Sequence, residues 1–268
     1  MTKISIITPV LNKKESLQKT IDSVIDQNVK NLEYIIVDGN STDGTLEIID
    51  RNKKFISKVI IGKDRNLYDA MNKGILSASG ELIGIINADD YYNPGAINLV
   101  LQKYYSFKGK ELVIYGNMHK KYNDLEILVN GDLSNLSFTD GNFEITHPTV
   151  FVTKSLYNKI GYFNINYQSG ADRDFLLRAN KNKAKFLKIN FSLATFTFGG
   201  FTSSYSLKLI YNRTIEEYSI LKKYYSKLFV IRKTFSQFFR MTRNFVFYNL
   251  FGKEIFLKLR MKRLKKNG

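Results

Sequence analysis

The sequence of 268 residues has no cysteine, no tryptophan, three prolines and only two histidines. Without cysteine, disulfides, thiolate metal sites and a cysteine nucleophile are all excluded. His119 and His147 belong to no cluster with metal-ligand spacing, and we interpret His147, which precedes Pro148, as structural. The chemistry of this chain must therefore rest on carboxylates, amides and hydroxyls.

Long apolar runs are also absent, because none approaches the roughly 18 to 20 residues that a membrane span requires. The first ten residues lead directly into a strand-like run without the charged, apolar and small-residue regions of a secretory signal, so we expect none. The lack of cysteine fits a reducing compartment. We expect a cytoplasmic protein.

The net charge of +17 is unevenly distributed. Residues 220–268 hold fourteen of the 41 Lys and Arg residues and one of the 24 acidic residues, so they carry +13. The preceding part is nearly balanced. This break predicts a catalytic-looking domain over residues 1–204 and a basic helical extension over residues 205–268.

Short apolar runs alternate with segments of helical spacing in the first 116 residues. The predicted strands are Ile4–Thr8, Tyr34–Val37, Val59–Ile61, Leu82–Ile86 and Leu112–Tyr115. Further on, we predict helices at Lys154–Ile160 and Asp172–Asn180, strands at Phe186–Ile189 and Leu193–Phe198, and a stop at Gly199-Gly200. This alternation predicts an α/β fold with a mostly parallel sheet that helices flank on both faces.

Acidic residues follow two of these strands, where ligands bind in open parallel sheets. Asp38 ends the second strand and can accept hydrogen bonds from a ribose or a base, whereas Asp43 suits the cap of the next helix. Pro9 and Asn12 follow the first strand and could equally be a strand end and a helix cap. No glycine-rich dinucleotide or P-loop motif is present.

The fourth strand ends in Asn87-Ala88-Asp89-Asp90. Adjacent carboxylates repel each other, and a divalent cation relieves that repulsion. The alternative is a solvated turn before Pro94. Later in the chain, Asp172 stands at the start of a predicted helix, where it is either a cap or a general base.

These segments together resemble the family-2 glycosyltransferases of the A-type fold. The matching blocks, in order, are ISIITPVLN (4–12), IIVDGNSTDGT (35–45), DRNLYDAMNKGI (64–75), NADD (87–90), HPTVFVTKSLYNKIGYFN (147–164) and ADRDFLLR (171–178). Residues 199–203 are similar to a late turn of the family. The resemblance covers roughly residues 3–204 and implies the nucleotide-diphospho-sugar transferase fold.

The resemblance implies a role for each matched residue. Asp38 contacts the nucleotide base, usually uracil, in a pocket lined by Pro9 and Asn12 with Asp64 nearby. Asp172 is the general base that deprotonates an acceptor hydroxyl. Three further positions depart from the family's pattern: Leu11 stands where a stacking Tyr is common, Asn87 where the metal motif often has Asp, and Ala171 where the base motif often has Glu.

The donor end of the site follows from the same resemblance. Asp89 holds a Mn²⁺ or Mg²⁺ ion that bridges the diphosphate, and Asn87 and Asp90 contact the donor. One-step attack would invert the anomeric centre. We hypothesise a transfer from a UDP-sugar to a lipid-linked saccharide in surface-polysaccharide synthesis, such as O-antigen or capsule. The alternatives are a sugar-nucleotide-forming nucleotidyltransferase and a non-catalytic adaptor.

The basic extension has the pattern of an amphipathic helix. Leu228, Ile231, Phe235, Phe238 and Phe245 recur at three- and four-residue steps, basic residues lie mainly opposite, and Gly252 interrupts the pattern. Such a helix favours peripheral binding to an anionic membrane surface, at the inner face of the cell membrane. Packing on the catalytic domain is the second interpretation. Nucleic acid is a less favoured partner, because the aromatics follow a helical stripe.

Overall fold

The computed structural model describes residues 3–107, 109, 111–131, 147–197 and 206–267, without the side chains of Lys253 and 263–267. The strands are β1 (Ile4–Val10), β2 (Leu32–Asp38), β3 (Lys58–Ile61), β4 (Leu82–Ile85), β5 (Tyr91–Tyr92), β6 (Leu112–Tyr122), β7 (Leu125–Val129), β8 (Phe151–Thr153) and β9 (Lys185–Thr197). The helices are α1 (Lys14–Ile25), α2 (Thr45–Arg51), α3 (Leu67–Ser77), α4 (Ala96–Phe107), α5 (Lys154–Ile160), α6 (Ala171–Lys181), α7 (Leu207–Leu221) and α8 (Lys227–Asn267). The predicted turn at residues 199–203 lies outside the described residues.

The first four long strands form the parallel part of one sheet, in the order β3-β2-β1-β4. Val10 pairs with Asp38, and Asp38 pairs with Ile61, so the carboxyl ends of these strands share one edge. This half confirms the predicted alternation of strands and helices. Pro9 does not end β1, which continues to Val10.

The other half of the sheet is mixed, in the order β8-β6-β9-β5, with β7 paired to β6. β6 and β9 are parallel, while β8 is antiparallel to both β4 and β6. The two residues Asn123-Asp124 join β6 to β7, and so short a link permits only antiparallel pairing. β9 is one strand where the sequence predicted two, and its register against β6 shifts near Gly116.

Alternate residues of the central strands belong to two hydrophobic layers, one on each face of the sheet. On β2, Tyr34 and Ile36 pack with α1, α2 and α4, while Ile35 and Val37 pack with α3, α5 and α6. This alternation is the two-residue period of a strand, and both faces are apolar because helices cover both. Each fully buried Ile contributes about 1.5–3 kcal/mol.

A cluster of hydrogen bonds around the buried Glu33 carboxylate connects the amino-terminal ends of β1 and β2. Glu33 accepts hydrogen bonds from the Ser5 hydroxyl (2.5 Å) and from the backbone and hydroxyl of Ser79 (both 2.7 Å), and it pairs with Lys3 (3.2 Å). Burial raises the pKa of Glu33, but these hydrogen bonds outweigh it and hold the pKa at about 2. The cluster lies at the end of β1 and β2 opposite Asp38, so its role is structural.

The carboxy-terminal extension packs on the rest of the chain at two places. Ile220 of α7 is fully buried in the layer that contains α6. Beyond a kink at Gly252 (φ 77°, ψ 166°), Phe256 and Leu257 of α8 pack against Ile127 of β7. The packing interpretation therefore holds for these parts of the extension.

The extension also has many large apolar side chains that are exposed. They include Leu207, Tyr211, Ile215 and Tyr218 on α7 and Leu228, Ile231, Phe235, Phe238, Phe239, Val246 and Leu250 on α8. We call this set the apolar stripe. Phe235 and Phe239 form an open groove with Arg240 and Arg243, so basic groups flank the stripe there rather than lying opposite it. Over the described residues, no helix is long and apolar enough to span a membrane.

Candidate active site

Asp38, at the carboxyl end of β2, has one satisfied and one unsatisfied carboxylate oxygen. Its side chain has no exposed surface, and Oδ1 accepts a hydrogen bond from Ser41 N at 2.7 Å. Oδ2 is buried and receives no hydrogen bond from any described residue. Leaving such an oxygen without a donor costs about 1–3 kcal/mol or more, so it requires an explanation. A ligand N–H or O–H would provide one.

The loops after β1 and β2 are tied to each other. Asn12 (φ 50°) accepts a hydrogen bond from Thr42 N through Oδ1 and donates its own N–H to Ser41 Oγ, both at 2.9 Å. The cap alternative for Asn12 is wrong, since Lys13 occupies the cap position of α1. Asp43 is not the cap residue of α2, because Gly44 occupies that position, but its carboxylate accepts from Thr45 N and so has a structural role at the start of the helix.

Gly39 lies between two side chains that the sequence associated with the nucleoside. A Cβ atom on Gly39 would lie 3.2 Å from Asp64 Oδ2 and 3.3 Å from Leu11 Cδ1. Asp64 is largely buried and forms an ion pair of 2.6 Å with Lys73. Leu11 is 55% exposed. Asp64 and Leu11 therefore lie close together beside Gly39, which follows Asp38 in the chain, and Leu11 has an exposed apolar side chain that could pack on a flat ring.

The loop at residues 87–90 is held in place by α1. Ser16 donates its hydroxyl to Ala88 O and Thr20 donates to Asp90 O, both at 2.7 Å. The Asp89 carboxylate remains partly exposed and pairs with Lys13 Nζ at 2.9 Å. Sequence reasoning missed Lys13, Ser16 and Thr20, because nothing in their local pattern indicates a partner 70 or more residues away.

Asp90 has no exposed surface, although the sequence predicted that it contacts the donor. Burial and then the neighbouring Asp89 charge raise its pKa to about 8, which favours the protonated form of Asp90. It accepts hydrogen bonds from Thr197 N on β9 and from Asn87 Nδ2, both at 3.3 Å. This geometry favours Asp90 as a link between the loop and β9, and its donor contact stays a prediction.

The fit to a metal ion rests on one carboxylate. Among the described residues, no three His, Cys, Asp or Glu side chains cluster as a metal site. Asp89 fits, because it is partly exposed and already pairs with a cation, and Mg²⁺ commonly uses one or two carboxylates with substrate phosphates. Asp90 fits less well, because its side chain has no exposed surface. The Mn²⁺ or Mg²⁺ site stays a prediction.

Asp172 lies in the first turn of α6, where the sequence placed it. Its Oδ1 accepts hydrogen bonds from Arg173 N at 2.8 Å and from the Tyr68 hydroxyl at 3.2 Å. Burial and the Asp172 charge raise the pKa of Tyr68, so the phenol remains a neutral donor. The helix that carries Tyr68, α3, lies close to β1, since a Cβ on Gly74 would lie 2.4 Å from Ile7 Cγ2.

His147 lies close to Asp172, and its structural interpretation stays a prediction. Its Nε2 atom is buried and has no hydrogen-bond partner among the described residues, and desolvation lowers its pKa against the opposing effect of Asp172. A cavity of about 10 Å³ is lined by both His147 and Asp172. That volume holds about one water molecule. The sequence placed Tyr68 and His147 in matched blocks, but it gave Tyr68 no role and interpreted His147 as structural.

The comparisons with known proteins agree with one another. A family model described as Glycosyl transferase family 2 matches residues 5–160. The PGL/p-HBAD biosynthesis glycosyltransferase of Mycobacterium bovis (strain BCG / Pasteur 1173P2) is 32% identical over 184 residues, which cover 67% of this chain and 70% of that protein. The GalNAc(5)-diNAcBac-PP-undecaprenol beta-1,3-glucosyltransferase of Campylobacter jejuni is 29% identical over 168 residues, covering 59% and 54% of the two chains.

Solved structures show the same fold. S. aureus TarS 1-349 in complex with UDP-GlcNAc aligns with a TM-score of 0.66 and 18% identity, over 89% of this chain and 73% of that one. TarS 1-349 in complex with UDP aligns with a TM-score of 0.60 and 20% identity, over 74% of this chain and 61% of the longer TarS chain. The predicted nucleotide-diphospho-sugar transferase fold is confirmed. With the family model covering more than half of its length, the chain belongs to glycosyl transferase family 2.

Proposed function

We propose that this protein is an inverting glycosyltransferase that moves a sugar from a UDP-sugar to an acceptor hydroxyl. The observation that carries the proposal is the unpaired, buried Oδ2 of Asp38 at the carboxyl edge of the sheet. The uracil N3–H is a donor of the kind this oxygen lacks. The similarity to TarS, solved with UDP and UDP-GlcNAc, supports the same donor class.

The donor lies across the carboxyl ends of β1, β2 and β4. Asp38 accepts from the base, Leu11 packs on its ring, and Asp64 lies beside Gly39 next to them. Asp89 would hold a Mn²⁺ or Mg²⁺ ion, which supplies charge neutralisation to the departing diphosphate when bound. Lys13 pairs with Asp89, so its ammonium group would add a second positive charge, beside that of the metal ion, near the donor phosphates.

Asp172 acts as the general base. It removes the proton from the acceptor hydroxyl as that oxygen bonds to the anomeric carbon, and the bond from that carbon to the diphosphate oxygen breaks with its electron pair. The hydrogen bond from Tyr68 to Oδ1 keeps the carboxylate in one orientation. Attack from the face opposite the leaving group inverts the anomeric centre.

The acceptor is a lipid-linked saccharide, and transfer occurs at an anionic membrane surface at the inner face of the cell membrane. The name of the C. jejuni relative, which specifies an undecaprenol-linked acceptor, supports this acceptor class. The apolar stripe and the adjacent Arg240 and Arg243 have the chemistry of an interfacial helix pair. Anionic lipid of the cytoplasmic leaflet complements the basic extension.

The test of the reaction uses Asp172→Asn beside the unaltered protein. Transfer from UDP-sugars to a synthetic polyprenyl-diphosphate-linked monosaccharide is measured as UDP release, and the anomeric configuration of the product is read by NMR. We expect the variant to lose at least about a hundredfold in kcat while UDP affinity by calorimetry is unchanged. Undiminished turnover would reject Asp172 as the base, and a product with the donor's own configuration would reject inversion.

A further inference from the structure

The segment that leads into the base-bearing helix is held by the extension. Glu216, on α7, accepts hydrogen bonds from the backbone N–H groups of Gln168 (2.5 Å) and Ser169 (3.0 Å) and from the Ser169 hydroxyl (2.9 Å). Both carboxylate oxygens are therefore committed to residues 168 and 169. These residues lie three and four positions before Asp172.

Apolar packing reinforces the same contact. Gly170 occupies the cap position of α6, where no side chain caps the helix. A Cβ atom on Gly170 would lie only 2.7 Å from Ile220 Cδ1, and Ile220 is fully buried. α7 therefore lies directly on the backbone where α6 begins.

Ion pairs complete the connection on the far side of Asp172. Asp174, which is 2% exposed, accepts from Lys223 Nζ at 3.0 Å and from Arg178 Nε at 2.9 Å. Arg173 pairs with Glu217 of α7. Residues 216–223 of the extension thus contact the chain on both sides of Asp172. We call these residues the α7 clamp.

We propose that Glu216 is a positioning residue for Asp172, and that the α7 clamp belongs to the catalytic machinery as well as to the membrane-facing extension. Glu216 acts through the backbone of residues 168–170, which sets the orientation of the Asp172 carboxylate towards Tyr68 and the acceptor. Small displacements of a reacting group are costly, up to about a hundredfold per ångström. The inference rests on the proposed role of Asp172 as the base.

The experiment compares Glu216→Ala and Glu216→Gln with Glu254→Ala as a matched control. Glu254 is an exposed glutamate on α8 whose ion pair is with Lys258, on the same helix. For each variant, kcat, the donor KM, UDP affinity and the midpoint of thermal unfolding are measured. Glu216→Ala should lower kcat by roughly ten- to a hundredfold and leave donor KM and UDP affinity within about twofold.

The conservative variant separates positioning from general loosening. Glu216→Gln keeps a carbonyl oxygen that can accept from one of the two N–H groups, so its kcat should fall between those of the alanine variant and the unaltered protein. Glu254→Ala should match the unaltered protein. If Glu216→Ala does not fold, Ser169→Ala removes one of the three hydrogen bonds and should lower kcat about threefold with UDP affinity unchanged.

Two results would overturn the proposal. One is an unchanged kcat in Glu216→Ala or, where that variant does not fold, in Ser169→Ala. The other is a parallel loss of kcat and UDP affinity, which indicates loosening of the whole domain. An inactive Asp172→Asn beside a fully active Glu216→Ala would remove this inference alone, whereas an active Asp172→Asn would remove the proposed base itself.

Discussion

The Tyr68 hydroxyl lies 3.2 Å from Oδ1 of Asp172, although the two residues are 104 positions apart. Tyr68 lies in the first turn of α3, which follows β3, and Asp172 lies in the first turn of α6, which follows β8 and α5. Their contact joins the parallel half of the sheet to the mixed half. The hydrogen bond constrains the orientation of the Asp172 carboxylate.

Replacing Tyr68 by Phe should lower kcat by roughly tenfold and leave UDP affinity unchanged. The change removes one hydrogen bond to a carboxylate, worth about 1.5 kcal/mol, while the ring keeps its packing on Phe163. Steady-state kinetics and calorimetry with UDP measure the two quantities. Tyr211→Phe, at an exposed position of α7, is the control. A kcat equal to that of the control would remove Tyr68 from the mechanism.

Replacing Asp38 by Asn should have opposite effects on stability and on binding. The buried Oδ2 has no donor in the free protein, so removing the charge should leave the unfolding midpoint equal or higher. UDP affinity should fall by about ten- to a hundredfold, because a charged acceptor for the base is lost. Thermal unfolding and UDP titration measure both. Full UDP affinity in the variant would contradict the assignment of Asp38 to the base.

The metal prediction is tested at Asp89. In the unaltered protein, Mn²⁺ should strengthen UDP binding, and a chelator should reverse the effect. Asp89→Asn should lose this Mn²⁺ dependence, while Asp50→Asn, at an exposed position of α2, should retain it. Calorimetric titration of UDP with and without Mn²⁺ gives the comparison. An equal Mn²⁺ response in Asp89→Asn and Asp50→Asn would exclude Asp89 as the ligand.

The apolar stripe is tested by vesicle flotation. The double variant Phe235→Ser with Phe239→Ser should bind phosphatidylglycerol vesicles about a hundredfold less tightly, since these side chains are 68% and 66% exposed and would enter the lipid. Phe55→Ser, at an exposed turn of the catalytic domain, should bind normally. Binding should also weaken at high salt. Unchanged flotation of the double variant would reject membrane docking through this face.

The Glu33 cluster predicts a pH-dependent stability that is separate from catalysis. Its pKa of about 2 lies below the ordinary value of 4.5, so the carboxylate stabilises the fold above pH 4.5, and that contribution is lost as the pH falls towards 2. A displacement of this size corresponds to about 3 kcal/mol. Glu33→Gln should be less stable by up to that amount at pH 7, with the difference vanishing near pH 2. Urea unfolding across this range measures it, and a constant difference would contradict the assignment.

The sequence predicted the positions of Asp38 and Asp89 relative to the strands. Asp38 ends β2 and Asp89 lies in the loop after β4, because apolar runs of strand length stop there, and such runs can be recognised in the sequence. The same reasoning placed Asp172 at the start of a helix. It did not find Asp90 buried, because adjacent positions on a turn differ in burial only through what packs on them, here β9.

By itself, the sequence determined the α/β alternation, the family blocks and the amphipathic extension, since each depends on periodicity or on residues close in the chain. Only the tertiary structure decided that Tyr68 contacts Asp172, that Lys13 pairs with Asp89 and that Glu216 holds the segment before α6. Sheet order and helix docking set these long-range contacts. Helices pack on both faces of one sheet, and this packing brings together carboxylates, hydroxyls and cations that are distant in the chain.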